Sequence, residues 1–270
     1  LKSYFILPIH NKEALLENVL QGIVDSVSGD YKIIAILDGC TDKSEKILTR
    51  FIKQKKIQDK VKVLHLPDVH EITCLNHGLT QVKMDHPNDD DLVFTVQDDV
   101  ILMEPNIDGL FRNLFNQIPN LGYVSMRLGA QLAYNGVDEI TDDNWVESEF
   151  GHWKQLGWTH FKEAKHYEFH VTQLAIRSPT CVLWKRYKEI GFYDPALAPC
   201  GFDCHDFSIR MQMRGYQNGI YALRFRSDLD WGGMRTQVPS EINKKHGEIY
   251  EKNRRYLGLK HRSFLLTHTK

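Results

Sequence analysis

The stretch Leu92-Val93-Phe94-Thr95-Val96 runs straight into Gln97-Asp98-Asp99 before apolar character returns at Val100. Five mostly β-branched or aromatic residues fit a buried strand. Two adjacent carboxylates at the end of such a strand are costly beside a core unless a cation, a hydrogen-bond network or solvent holds them. The pair is therefore a candidate for holding a divalent metal against a phosphate-bearing ligand.

The preceding residues place this strand among others of its kind. Tyr4-Phe5-Ile6-Leu7-Pro8 is a continuous apolar run ended by Pro, as expected of a central parallel strand. His10-Asn11 make the turn, and from Lys12 to about Ser26 apolar residues recur at helical spacing. Tyr31 to Leu37 is a second strand closed by Asp38-Gly39-Cys40-Thr41-Asp42, and a helix with Ile47, Leu48, Phe51 and Ile52 inward follows. Val61 to Leu66 gives a third strand and Ile72 to Val82 a third helix. The basic run Lys53 to Lys62 reads as a solvated helix end and loop. Strands alternating with helices imply a mostly parallel, Rossmann-like α/β sheet flanked by helices, whose ligands bind outside the carboxyl ends of the strands. His10, Asp38, Asp98 and Asp99 all fall at such ends.

Further on, Ile107 to Ile118 predicts a helix and Gly122 to Arg127 a fifth strand. From about Gly129 to Glu168 the pattern weakens into an acidic, aromatic-rich stretch carrying Trp145, Phe150, Trp153, Trp158 and Phe161, a length of irregular chain that is usually functional or mobile. Val171 to Trp184 is strand-like, broken by Ser178-Pro179, with a short helix over Arg186 to Ile190. Phe207 to Arg214 is a helix preceded by His205-Asp206 and stopped by Gly215. Ile220 to Phe225 is a late strand, and Glu241 to Leu257 a charged helix. With no internal repeat and no low-complexity linker, one domain is favoured over two.

Composition removes several classes. The 270 residues are 42% hydrophobic and 26% charged, with a formal charge of −1, so neither disorder nor a generic nucleic-acid or anionic-membrane partner is indicated. Phosphate recognition must be local. Five cysteines, Cys40, Cys74, Cys181, Cys200 and Cys204, lack the spacing of a secreted scaffold and point to a reducing, cytoplasmic setting. A zinc reading of Cys200-Gly-Phe-Asp-Cys204-His205 lacks a second pair at finger spacing. No apolar run approaches the roughly 20 residues that cross a bilayer, which leaves peripheral membrane contact open, and no signal peptide is recognisable. The first residue is Leu1, so the chain is readable as part of something longer.

In order along the chain, Leu7-Pro8-Ile9-His10-Asn11, Leu37-Asp38-Gly39-Cys40-Thr41-Asp42, Cys74-Leu75-Asn76-His77-Gly78-Leu79, Gln97-Asp98-Asp99, Ile190-Gly191-Phe192-Tyr193-Asp194 and His205-Asp206 through Gly215-Tyr216 resemble the motifs of the family 2 glycosyltransferases, the inverting GT-A enzymes. Departures are Gln97 in place of the first Asp of the metal motif, His205 in place of Glu, and Cys40 in place of Ser. The family's late metal-binding His is also missing, with Asp228 or Asp230 standing nearby.

The resemblance implies a GT-A catalytic domain over 1–240, with a donor half to about 128 and an acceptor half from about 129, followed by a C-terminal helical extension over 241–270. It implies transfer of a sugar, with inversion, from a nucleotide diphosphate donor, UDP best fitting the pattern, to a hydroxyl of a saccharide, lipid-linked or protein-borne glycan. Asp99 would be the ligand of Mn2+ or Mg2+, both of which prefer hard oxygen donors. Asp98 would approach the ribose or a metal-bound water. Asp38 would accept from the nucleobase, with Pro8, Ile9, His10 and Asn11 bordering it and Asn76 near the diphosphate. Asp206 would be the general base, with helix capping as its rival role and Asp203 as the nearby alternative.

Trp145, Trp153, Trp158 and Trp231 offer faces for a sugar to stack on, though aromatic residues are more often core. Arg210 and Arg214 read as surface or salt-bridge residues. Two other readings stay open: a sugar nucleotidyltransferase, which would want a basic glycine-rich loop after the first strand, and a noncatalytic nucleotide-sugar binding module marked by Gln97 and His205.

Overall fold

The computed structural model describes residues 1–134, 145–150, 165–176, 178–227 and 240–268, with only the backbone described at Leu128, Ala133 and Tyr134 and over 145–150 and 240–244. In order these residues form β1 (Lys2–Ile9), α1 (Leu16–Ser26), β2 (Asp30–Asp38), α2 (Ser44–Lys55), β3 (Val61–Leu66), α3 (His70–Met84), β4 (Leu92–Thr95), β5 (Val100–Leu102), α4 (Ile107–Gln117) and β6 (Leu121–Ser125). There follow β7 (Leu128–Tyr134), β8 (Trp145–Phe150), β9 (Phe169–Thr172), β10 (Leu174–Ile176), β11 (Thr180–Leu183), α5 (Trp184–Ile190), α6 (Asp203–Met213), β12 (Gln217–Tyr221), β13 (Phe225–Ser227), α7 (Ser240–Lys260) and α8 (Arg262–His268).

Eight strands form the central sheet in the order β3-β2-β1-β4-β11-β6-β12-β9. β3, β2, β1 and β4 are mutually parallel, and β6 and β12 share their direction, while β11 and β9 run against them. The expected mostly parallel sheet flanked by helices is therefore present. β7, β8 and β10 make a small antiparallel sheet, and β5 pairs with β13.

Both faces of the central sheet are covered, which explains why its strands read as unbroken apolar runs. Phe5 and Leu7 of β1 point to the face packed by Leu16, Val19, Leu20 and Ile23 of α1 and by Phe111 of α4. Tyr4 and Ile6 point to the other, against Leu75 and Leu79 of α3 and Phe207 of α6. A third cluster joins Ala130, Leu132 and Leu174 to Ile209, Leu257, Phe264 and Leu265, so the C-terminal helices are anchored on the half of the chain expected to bind acceptor. Asn253, buried in α7, donates to the main-chain oxygens of Leu197 (2.8 Å) and Cys200 (2.9 Å).

Several boundaries differ from those read in the sequence. β1 continues through Pro8 to Ile9, because its pairing with β4 ends at Ile6↔Thr95 and the missing Pro8 N–H costs no bond on that side. Residues 12–15 form a turn and α1 begins at Leu16, whereas α3 begins earlier than expected, at His70. β7 and β8 lie within the stretch expected to be irregular. α6 begins at Asp203, four residues before the predicted start, which puts Asp206 inside the helix.

All five cysteines are free thiols. No helix among the described residues is long and apolar enough to cross a membrane.

Gly78 lets α3 lie directly on β1 and β2. A Cβ there would fall inside contact distance of the Ile6 side chain and 3.2 Å from Ile36 Cδ1. Gly78→Ala should cost about 1–3 kcal/mol through overpacking, read as a lower urea midpoint; an unchanged midpoint would show that α3 can lift at no cost.

Candidate active site at the carboxyl edge of the parallel strands

Asp98 and Asp99 occupy a tight turn between β4 and β5, closed by Val100 N–H donating to Gln97 O at 3.1 Å. The approach to the turn is fixed from β11's side: Ser178 Oγ accepts from Gln97 N–H at 3.1 Å and donates to Thr95 O at 3.2 Å. Gln97 itself reaches back to α3, its Nε2 donating to Glu71 Oε1 at 2.9 Å. The amide at the place where the resemblance puts a metal-binding Asp thus ties the turn to a helix.

The two carboxylates differ. Asp98 Oδ2 accepts the main-chain N–H of His10 at 2.8 Å, and its Oδ1 lies 3.8 Å from the ammonium of buried Lys12. Burial pushes its carboxyl up to about 7; Lys12 and the His10 N–H pull it down, and Asp99 and Glu71 raise it further. Asp99 Oδ1 is a buried oxygen with no hydrogen-bond partner. Arg127, just past the end of β6, interacts with Asp99; burial lowers its pKa while Asp99 opposes that shift. An acceptor oxygen left unsatisfied beside a second carboxylate near neutrality is what a hard divalent cation would occupy, so the donor set fits Mn2+ or Mg2+.

The neighbouring strand ends are interlocked. Asn11 Oδ1 accepts from Thr41 N at 2.8 Å and Asp42 N at 3.3 Å, which directs Asn11 Nδ2 toward His10 Nε2, 3.4 Å away. On its other side His10 Nδ1 lies 2.6 Å from Asp38 O, a carbonyl that can only accept. Both contacts require the tautomer with hydrogen on Nδ1 and a lone pair on Nε2. Cys40 Sγ donates to Ile9 O at 3.2 Å, completing the tie between the ends of β1 and β2. His10, Asp38 and Asp68 place ligand atoms within 4.8 Å of one another, a second potential cation group at this edge.

The structure thus brings Pro8, Ile9, His10, Asn11, Asp38, Asp98 and Asp99 to one edge. Asp38, however, is almost wholly buried, and its oxygens accept from Val69 N (2.7 Å) and His70 N (3.0 Å) at the start of α3. It caps that helix. Gly39 beside it has φ +60°, and a Cβ would meet Asp68 Cβ at 2.8 Å, so the Asp-Gly turn is required by geometry. Asn76 departs from its expected place near a diphosphate: its amide clamps the main chain of Tyr193, donating at 2.9 Å to the oxygen and accepting at 3.0 Å from the N–H.

Asp206 lies in a buried ion cluster. It is fully buried, and its oxygens accept from Arg210 Nε at 2.7 Å, Lys260 Nζ at 2.5 Å and His261 Nε2 at 2.8 Å. Burial alone would raise its carboxyl, but His261, Arg210 and Lys260 together hold it far below the usual carboxylate range. A carboxylate stabilised this strongly is a poor proton acceptor. Its role is to join α6 to α7 and α8, with Lys260 also bonded to Asp194 at 2.6 Å. Arg210 is accordingly the salt-bridge residue expected. Asp203 lies one turn earlier, also buried. Trp153, Trp158, Phe161, Trp231, Asp228 and Asp230 lie outside the described residues, as do the side chains of Trp145 and Phe150.

Lys12, Glu71, Asp68, Arg127 and Ser178 were not singled out in the sequence. Lys12 and Arg127 were findable, since each follows the end of a parallel strand within three residues.

The sequence profile of the family described as Glycosyl transferase family 2 matches residues 4–116, which include the Asp98-Asp99 turn and stop before α6. TarS of Staphylococcus aureus (residues 1–349) superposes with TM-score 0.57 at 12% identity, over 94% of this chain and 68% of that one. The chain is family 2-like, with a GT-A fold. A crystal structure of GalNAc-T7 with UDP, GalNAc and Mn2+ superposes on this GT-A domain with TM-score 0.62 at 14% identity, over 84% of this chain and 44% of that one. TagX of S. aureus strain MRSA252 is 26% identical over 142 residues, 52% of this chain; the chain thus spans only 39% of the length of that relative.

The Asp206 cluster sets an acid limit on stability. Its folded-state pKa lies below the unfolded value, so the cluster's stabilisation is present above about pH 4 and is lost as pH falls through the folded pKa. Asp206→Asn should cost about 3–5 kcal/mol at neutral pH and flatten the acid limb of thermal midpoint against pH. An unaltered limb would place the acid sensitivity elsewhere.

Proposed function

We propose that this chain transfers a sugar, with inversion, from a nucleotide diphosphate donor, UDP favoured, to a hydroxyl acceptor, using a divalent cation held at Asp99. The observation that carries the reading is the orphaned, buried Asp99 oxygen beside Asp98, at the carboxyl edge of a family 2-like sheet. Relatives of the same fold crystallised with UDP, one of them also with Mn2+, support the donor and metal classes.

Bound at Asp99, Mn2+ or Mg2+ would supply positive charge against the leaving diphosphate. The remaining work belongs to the chain. Asp98, fixed by the His10 N–H, holds the β1 and β4 ends in register, and Lys12 and Arg127 balance the carboxylates when the site is empty of cation. Pro8, Ile9, His10 and Asn11 form the wall against which the base would lie, with the His10 Nε2 lone pair as its acceptor group. Asp38 acts on the donor through α3, whose first amides it orients.

Inversion needs one carboxylate on the acceptor side to take the hydroxyl proton. Asp206 is held by Arg210, Lys260 and His261, so the role is assigned to Asp203, the alternative carboxylate at the start of α6, on its position and not on its exposure, both side chains being buried.

Release of nucleotide diphosphate from a panel of nucleotide sugars, with and without Mn2+, tests the reading. Metal-dependent release from a UDP-sugar, reduced at least about 100-fold by Asp99→Ala and by Asp203→Asn with UDP binding retained in the latter, is expected. Binding of UDP with Mn2+ but no turnover of any donor would identify a noncatalytic binding module instead.

A further inference from the structure

Gln97 anchors the Asp98-Asp99 turn at three points. Its main-chain N–H donates to Ser178 Oγ, its main-chain oxygen accepts from Val100 N, and its side-chain amide donates to Glu71 Oε1 at 2.9 Å. Of these partners only Glu71 is ionisable.

Glu71 lies in the first turn of α3, where an acid is ordinarily explained by the amino end of the helix. Here that end is already capped, because Asp38 accepts from Val69 N and His70 N. The glutamate is turned to Gln97. A neutral acceptor would hold the Gln97 amide with similar geometry, since an amide donor asks only for a lone pair. A carboxylate adds negative charge beside Asp98 and Asp99 as well, and that charge is felt at Asp98, where it opposes ionisation. A third acid at such a place is unfavourable in the absence of a cation and attractive to one that enters.

We propose that Glu71 is a positioning residue of the cation site: through the Gln97 amide it fixes the Asp98-Asp99 turn on α3, and its charge strengthens the hold of that turn on Mn2+ or Mg2+. The inference rests on the reading that Asp99 carries the cation. Groups bonded behind a ligand set commonly govern metal affinity in this way, by orienting the ligands and adding to their negative potential. The same helix start receives Asp38 from the end of β2, so α3 ties two strand ends of the site together.

Mn2+ binding, followed through the electron paramagnetic resonance signal of the free ion with and without UDP, tests this with no turnover involved. The parent chain should bind Mn2+ and Asp99→Ala should not. Glu71→Gln keeps the shape and an acceptor oxygen for the Gln97 amide but removes the charge, and should weaken Mn2+ binding about tenfold. Exchanging the pair, Glu71→Gln with Gln97→Glu, keeps both the amide–carboxylate bond and the charge, and should restore most of the lost affinity. Circular dichroism melts of the metal-free variants check that each is folded. Unchanged affinity in Glu71→Gln, beside a loss in Asp99→Ala, would overturn the proposal and leave the cation site standing. So would a folded exchange variant that binds no better than Glu71→Gln, because the charge would then not be what matters. Absence of Mn2+ binding by the parent, or binding indifferent to Asp99→Ala, would overturn the cation reading itself and this inference with it.

Discussion

The hydrogen bond from the His10 main chain to Asp98 joins the carboxyl ends of two adjacent parallel strands, and the site is arranged around it. A strand that ends in paired carboxylates needs donors at that point, and the turn after β1 supplies one from its backbone and a second charge from Lys12. The Asn11 amide then links that turn to the one after β2, and Asp38 links the latter to α3. Three loops are held in mutual register by side chains that accept main-chain N–H groups, so the geometry depends on Asp98, Asn11 and Asp38.

Two carboxylates show how environment divides function from structure. Asp98, with one cation 3.8 Å away and carboxylates at Asp99 and Glu71 around it, has its carboxyl raised to about 7. Asp206, more deeply buried, accepts from Arg210, Lys260 and a ring nitrogen of His261, and its carboxyl is driven the other way. The first region holds more negative charge than its partners offset and so has capacity for a cation; the second is satisfied. A buried ion cluster of the second kind costs much to break and fixes which elements pack together, and here it secures the C-terminal helices to α6. The C-terminal segment is thereby packed into the same body as α6, β7 and β10.

The parallel sheet was legible in the sequence because strands buried on both faces are written as continuous apolar runs, and the candidate donor edge was legible because it follows directly from where those runs end. The placement of Asp99 and His10 at that edge needed nothing more. The ion cluster around Asp206 was not legible because its partners, Lys260 and His261, lie more than fifty residues away, and no local pattern announces a contact at that separation. The bond between Asn76 and the Tyr193 main chain was hidden for the same reason, the two being 117 residues apart. Pro8 misled in the opposite way: a Pro normally ends a central strand, but here the neighbouring ladder stops first.

In the proposed reaction Asp99 carries the cation at this edge. Crystals of the chain soaked with UDP and Mn2+, measured at the manganese absorption edge, test it most directly. One strong anomalous peak bonded to Asp99 Oδ1 is expected, at about the 2.0–2.1 Å of a small octahedral divalent ion, with UDP against the His10-Asn11 turn. A peak centred instead among His10, Asp38 and Asp68, with Asp99 unbonded, would contradict it.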